Sequence, residues 1–177
     1  ENGRRRELIR EYGFNNPFEE FAIAHHLTEL GVPTVYVRAV YMTGSTKNEP
    51  AADQRHFTTH KNITARDSLP ALRDNHDYII IRGYYNGADS WVASHEGQLC
   101  TPFDLERAAL EGIIPGDECV RLMDITRSRL KNVGYDGALL ELNDILISFD
   151  PDGVIVTDDE HLPETRICNF ELVHPAR

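Results

Sequence analysis

The sequence predicts an α+β fold from three observations. Runs rich in β-branched and aromatic residues occur at 32–42, 77–84 and 145–156, and capped segments with helical period occur at 17–30, 102–112 and 115–133. The two types are grouped, strands first, then helices, then further strands, instead of alternating as in a parallel α/β sheet. The 177 residues and 41% hydrophobic content suffice for one large domain or one compact two-lobed unit. The order of elements places the join between two lobes near residues 84–100.

The segment "RRELIREYG" carries Leu8 and Tyr12 and ends at Gly13; so few residues suit a strand or one helical turn, and the strand is the preferred reading. In "NNPFEEFAIAHHLTELG", Asn16 is an N-cap, Pro17 suits the first helical position, Glu19 and Glu20 favour the positive helix end, and Gly31 stops it. Phe18, Phe21, Ala22, His25, Leu27 and Leu30 recur near a period of 3.6 and predict the core-facing side. "VPTVYVRAVYM" is apolar on both faces and reads as a central or covered strand, with Pro33 near its start. The polar stretch 43–75 has no period, and a loop of that length in a compact domain usually serves function. "HDYIIIRGYYNG" gives a second strong strand, Asp77 to Tyr84. Thr101 caps a predicted helix in "PFDLERAALEG", and a longer helix runs from Pro115 to Val133, stopped by Gly134. "DILISFD" and "VIVTDD" flank Pro151-Asp152-Gly153 and predict a hairpin. "TRIC" is the last strand, leading into "NFELV".

Charge narrows the classes of partner. With 29 acids against 18 Lys and Arg the net charge is −11, so the average surface repels phosphate backbones, and no nucleic-acid partner is expected. The only compact basic run, Arg4-Arg5-Arg6, reads as a solvated element end. No apolar run approaches the roughly 20 residues that span a bilayer. Three cysteines without a Cys-x-x-Cys pair argue against a disulfide framework and a thiolate zinc site, which points to a reducing, cytoplasmic compartment. Because the chain starts at Glu1 instead of Met, the numbering is expected to begin inside a longer polypeptide.

The order of elements is similar to the core of the protein-kinase-like fold, including its bacterial lipopolysaccharide and small-molecule kinase branches. "ELIREYG" looks like a first strand, "NPFEEFAIAHHL" like the helix that follows it, and "VYVRAVYM" and "DYIIIRGYY" like the next two strands. "NDILIS" resembles the family's Asn-Ile-Leu-Leu strand entry, and "ICNFEL" resembles its Ile-Asp-Phe-Gly-Leu stretch. The resemblance implies an N-lobe at 1–85, an antiparallel sheet with one helix and a long polar insertion at 43–75. It implies a C-lobe at 86–177, built of helices, a β-hairpin and a terminal strand. It puts Asp144 and Asn169 at the two metal positions, with carboxylate and carboxamide exchanged relative to the family, and hard cations such as Mg²⁺ accept both oxygens. It also puts Arg10 in the role of the phosphate-holding lysine and Glu20 in that of its helix partner.

The departures from that pattern concern chemistry. The family's catalytic base would fall on Leu139, which cannot accept a proton, and the nearest acids, Asp136 and Glu141, are differently spaced. Arg10 is a poor substitute for a compact ammonium. Glu171 replaces the motif glycine, and no glycine-rich phosphate loop precedes it. The expectation is therefore a pseudokinase-like module that binds or scaffolds a partner protein, with residual nucleotide affinity around Arg10 and Glu20. The alternatives are a divergent phosphotransferase using ATP and Mg²⁺ with Asp136 or Glu141 as base, and a structural subunit of a larger assembly.

Other constellations are weaker. His25 with Glu29, and His56 with His60, are two-ligand spacings without a third ligand, and His25 reads as a core-edge histidine. Ser94-His95-Glu96 are chain neighbours whose side chains diverge, and no nucleophile elbow is present. Cys168 at a strand end reads as buried and inert. Asp150, Asp152, Asp158, Asp159 and Glu160 read as a solvated acidic hairpin.

Overall fold

The computed structural model describes residues 7, 13–35, 37–43, 64, 72–73, 76–83, 101–158 and 160–176. The fold is mixed helix and sheet, with three helices and small antiparallel sheets among the described residues. Helix α1 spans Pro17–Glu29, α2 Leu105–Leu110 and α3 Gly116–Asn132. The strands are β1 Val37–Met42, β2 Tyr78–Arg82, β3 Thr101–Asp104, β4 Tyr135–Asp136, β5 Ile145–Phe149, β6 Arg166–Ile167 and β7 His174–Pro175. A single 3₁₀ turn, Leu142–Asp144, leads into β5. No helix among the described residues is long and apolar enough to cross a membrane.

Helix α1 begins where its sequence says it should. The Asn16 side-chain oxygen accepts from the backbone N–H of Phe18 and Glu19 at 2.9 and 3.0 Å, and Glu19 returns a bond to the Asn16 N–H at 2.8 Å. This reciprocal box satisfies donors that the first turn would leave orphaned. Gly31, at φ +77°, ends the helix in a backbone region that side-chain-bearing residues avoid. The buried face differs from the predicted one. It consists of Glu20, Ile23, Ala24 and Leu27, while Phe18 and Leu30 are about half exposed and Ala22 and His25 lie on the solvent side. His25 is thus no core-edge residue; its ring packs on Phe21 with centroids 5.1 Å apart.

Three further expectations are corrected. Thr101–Asp104 is a strand, not the start of a helix, and Asp104 caps α2 by accepting from the Arg107 N–H at 2.7 Å. "TP" and "D-L-E" are both plausible starts, and the ladder from Thr101↔Phe149 to Asp104↔Leu146 decides between them. β1 is not a covered strand: it starts at Val37 and pairs with β2 in a two-stranded sheet that leaves Tyr41, Ile79 and Ile81 exposed on one face. The other face, with Val40 and Ile80, packs on the α1 core, and Met42 at its end is exposed. Glu7, in the expected first strand, has helical backbone, and residues 8–12 lie outside the described ones.

The second sheet has order β3-β5-β6, antiparallel throughout, with β5 central. The predicted hairpin turn at 151–153 follows β5, but the returning arm contributes one bridge, Phe149↔Ile155, with Val156 N–H bonded to the Ser148 carbonyl at 2.9 Å. A two-residue pair, β4 with β7, was not foreseen. One apolar cluster joins α1, β1, Leu130 of α3, β6 and the Phe170–Val173 stretch, and a second lies between α2, α3 and β5. The bridge Thr34↔Ile167 and the bond from Val35 N–H to the Ile167 carbonyl, 2.8 Å, tie the lead into β1 to β6. β6 therefore borders both regions, and the residues that follow it occupy the junction.

Candidate functional site

The junction is built from the ends of four elements. Glu20 sits on the first turn of α1, in the buried stripe; Arg82 ends β2; Asp144 closes the 3₁₀ turn before β5; Cys168 and Asn169 follow β6. Asp144 is 8% exposed and Glu20 5%, so both carboxylates depend on partners, because burial of an unpaired charge is strongly unfavourable. Asp144 Oδ1 accepts from Asn169 Nδ2 at 2.9 Å, and Oδ2 accepts from the Glu141 N–H at 2.8 Å. The Asp144 carbonyl accepts from the Cys168 N–H at 2.9 Å, which fixes the two segments side by side. Asn169 Oδ1 in turn accepts from the Glu171 N–H at 3.0 Å, so both ends of the carboxamide are engaged and its orientation is set by its partners.

Glu20 pairs with Arg82, Oε2 to Nη2 at 3.2 Å, and Arg82 Nη1 donates to the Cys168 carbonyl. The two acids at the start of α1 thus divide as their positions suggest: Glu19 caps the helix and Glu20 turns inward. Arg10, the expected partner of Glu20, lies outside the described residues. Asn15 completes the grip on the segment. Its side-chain amide donates to the Phe170 and Val173 carbonyls at 2.7 and 2.6 Å, and its N–H donates to the Glu171 carbonyl at 2.8 Å. Arg127 on α3 holds the loop before Asp144 by donating to the Leu140 carbonyl at 2.6 Å.

Asp144 and Asn169, singled out in the sequence 25 residues apart, are thus brought into direct contact. The contact, however, directs the carboxamide nitrogen at the carboxylate. For both residues to offer oxygen to a cation, Asn169 would have to turn its amide over and give up the Glu171 bond. No group of three or more His, Cys, Asp or Glu side chains among the described residues could hold a metal ion. As arranged, the pair offers a cation the Asp144 carboxylate but no carboxamide oxygen, which is one ligand fewer than the resemblance implies. Leu139, at the expected base position, is buried with Phe14 and Leu172. Asp136 lies in β4 and accepts from the Ala138 N–H at 2.8 Å. Glu141 is exposed and forms a reciprocal cap with Asp144: its side chain and its carbonyl, the latter at 3.1 Å, accept from the Asp144 N–H, while its own N–H donates to the Asp144 carboxylate.

Cys168 stands beside this pair. Burial, reinforced by the Asp144 charge and opposed by Arg82, pushes its thiol up to about 11, as expected for an inert structural cysteine. Arg82 and Asn15 are the members that sequence reasoning missed. Arg82 is legible only as a basic residue closing an apolar strand. Asn15 is legible as one of two adjacent asparagines where a cap needs one. A shallow groove runs along α3 between Asp117 and Asn132, but it shares no residue with the junction and holds no buried convergent polar groups. His56, His60, Ser94, His95, Glu96 and Cys100 lie outside the described residues. No family model, curated protein or solved structure matches the chain.

Proposed function

We propose that this chain is a non-catalytic, kinase-like domain, two-lobed with the lobes at 1–85 and 86–177, that binds or scaffolds a partner protein. The observation that carries the reading is the state of Asp144. Its carboxylate is met by a carboxamide N–H and a backbone N–H, an arrangement that turns the Asn169 amide nitrogen, not its oxygen, toward the carboxylate. Phosphoryl transfer depends on positioned metal charge and a base, and the position assigned to the base by the resemblance carries a buried leucine. The inward Glu20 with a guanidinium partner, and the contact between the "NDILIS" and "ICNFEL" segments, support the kinase-like part of the reading.

The test is thermal melting with millimolar ATP and Mg²⁺, on the chain and on Asp144→Asn. The expected result is no Asp144-dependent rise in melting temperature. Saturating ligand at 100 times its Kd would stabilise by about 2.7 kcal/mol, a shift of several degrees, so a working site would be visible. A rise in the chain that Asp144→Asn abolishes would overturn the proposal in favour of a metal-dependent phosphotransferase, with Asp136 or Glu141 as base.

A further inference from the structure

The segment Cys168–Val173 is held by other elements' side chains more than by strand pairing, since β6 stops at Ile167. Asn15, just before α1, grips its far half through the Phe170 and Val173 carbonyls. Its near half, which carries Asn169, rests on Asp144 through the Cys168 N–H and the Asn169 amide, and is gripped by Arg82 at the Cys168 carbonyl. That guanidinium bridges two acceptors from different parts of the chain, the Glu20 carboxylate on α1 and the Cys168 carbonyl. The geometry is that of a planar fork reaching two oxygens, which a lysine's single ammonium would serve less well. The Arg82 side chain is 35% exposed while that of Glu20 is 7% exposed, so the outer member of the bridge is in reach of solvent and the inner one is not.

We propose that Arg82 is a latch, a positioning residue that holds the Cys168 end of this segment closed and thereby sets where Asn169 stands against Asp144. Released, the near half opens locally while Asn15 keeps the far half in place, so the geometry of the Asp144–Asn169 pair is adjustable from the end of β2. This does not depend on the kinase-like reading, because it rests on the bonds alone.

Cys168 reports on the latch. Its thiol is half-buried, 3.7 Å from the Asn143 carbonyl, and lies in the segment that would open. Removing Arg82 has two effects of opposite sign: loss of a nearby positive charge disfavours the thiolate and slows alkylation, whereas opening exposes the thiol and speeds it. The experiment is iodoacetamide labelling of the chain and of Arg82→Met at pH 8, with Cys168 and Cys119 quantified separately by peptide mass spectrometry. Cys119 is fully buried between α2, α3 and β5 and serves as the control for global unfolding. Expected is labelling of Cys168 faster by on the order of tenfold, with Cys119 unchanged, the signature of a local opening. Cys168 labelling at or below the original rate, or parallel acceleration at both cysteines, overturns the latch. Should Arg82→Met fail to fold, the uncharged pair Glu20→Gln with Arg82→Gln, which removes both members of the ion pair together, decides by the same two rates.

Discussion

Helices α1 and α3 each bury a stripe at helical spacing, yet the two stripes are of different kinds. That of α3 is Cys119, Leu122, Thr126 and Leu130, and its one polar member is satisfied close by: Thr126 donates to the Leu122 carbonyl at 3.0 Å and meets Thr165 at 2.9 Å. That of α1 is Glu20, Ile23, Ala24 and Leu27, and its polar member is a carboxylate whose guanidinium partner comes from a strand 62 residues away. The α3 stripe serves packing alone, whereas the α1 stripe carries a charge into the junction where Asp144 and Asn169 meet. A charge inside an otherwise apolar stripe is costly unless something fixes its partner, which is why the departure from simple patterning coincides with the candidate site.

The comparison is tested first where the helices should agree. Leu27 and Leu122 are both essentially fully buried, and Leu27→Ala and Leu122→Ala should each destabilise by about 2–5 kcal/mol in urea melts. A much smaller loss for Leu27 would mean that the α1 stripe is not packed as described. The helices should then diverge at their polar members. Glu20→Gln keeps the volume but removes the charge that Arg82 meets, and should cost about 1–3 kcal/mol. Arg82→Gln in the same chain should recover part of that loss, because the two side chains act as a unit. Additive losses across that double-mutant cycle would show that α1 and β2 are not coupled through this pair.

The same contrast explains what could be read from the sequence. Local signals were legible: the Asn16 cap, Pro17, the stop at Gly31, the bounds of α3 within a residue or so, and the turn at 151–153. Signals that need a distant partner were not. The apolar residues of α1 point to more than one side of the helix, so their period does not identify the buried face, and its leading member is an acid. The helix start predicted at Thr101 gave way to a strand because β5 lies alongside, which no short window contains. β4 and β7 are two residues each, and β7 includes a proline, so neither carries a strand pattern. At the site, Asp144 and Asn169 were found through motif resemblance, while Asn15 and Arg82, whose role is to bind main-chain carbonyls, leave no motif.

The smallest expected effect lies on α3, whose ionic tie is at its flank and not in its stripe. Arg129 meets Asp158 at 2.8 Å, with side chains 28% and 16% exposed. Burial works against the charged form of Asp158, but the Arg129 guanidinium and the backbone N–H groups of Leu162 and Glu160 outweigh it and hold the carboxyl below its usual range. A depressed folded value means that this contribution is complete above the unfolded value near 3.9 and is lost as pH falls through the folded one. Stability should therefore decline below about pH 4 by an amount within about 1 kcal/mol from this pair, since partly exposed pairs are weak. Arg129→Met should flatten that part of the acid limb and leave stability at pH 7 lower by the same amount. If the limb keeps its full depth in Arg129→Met, the flank pair contributes nothing measurable to it.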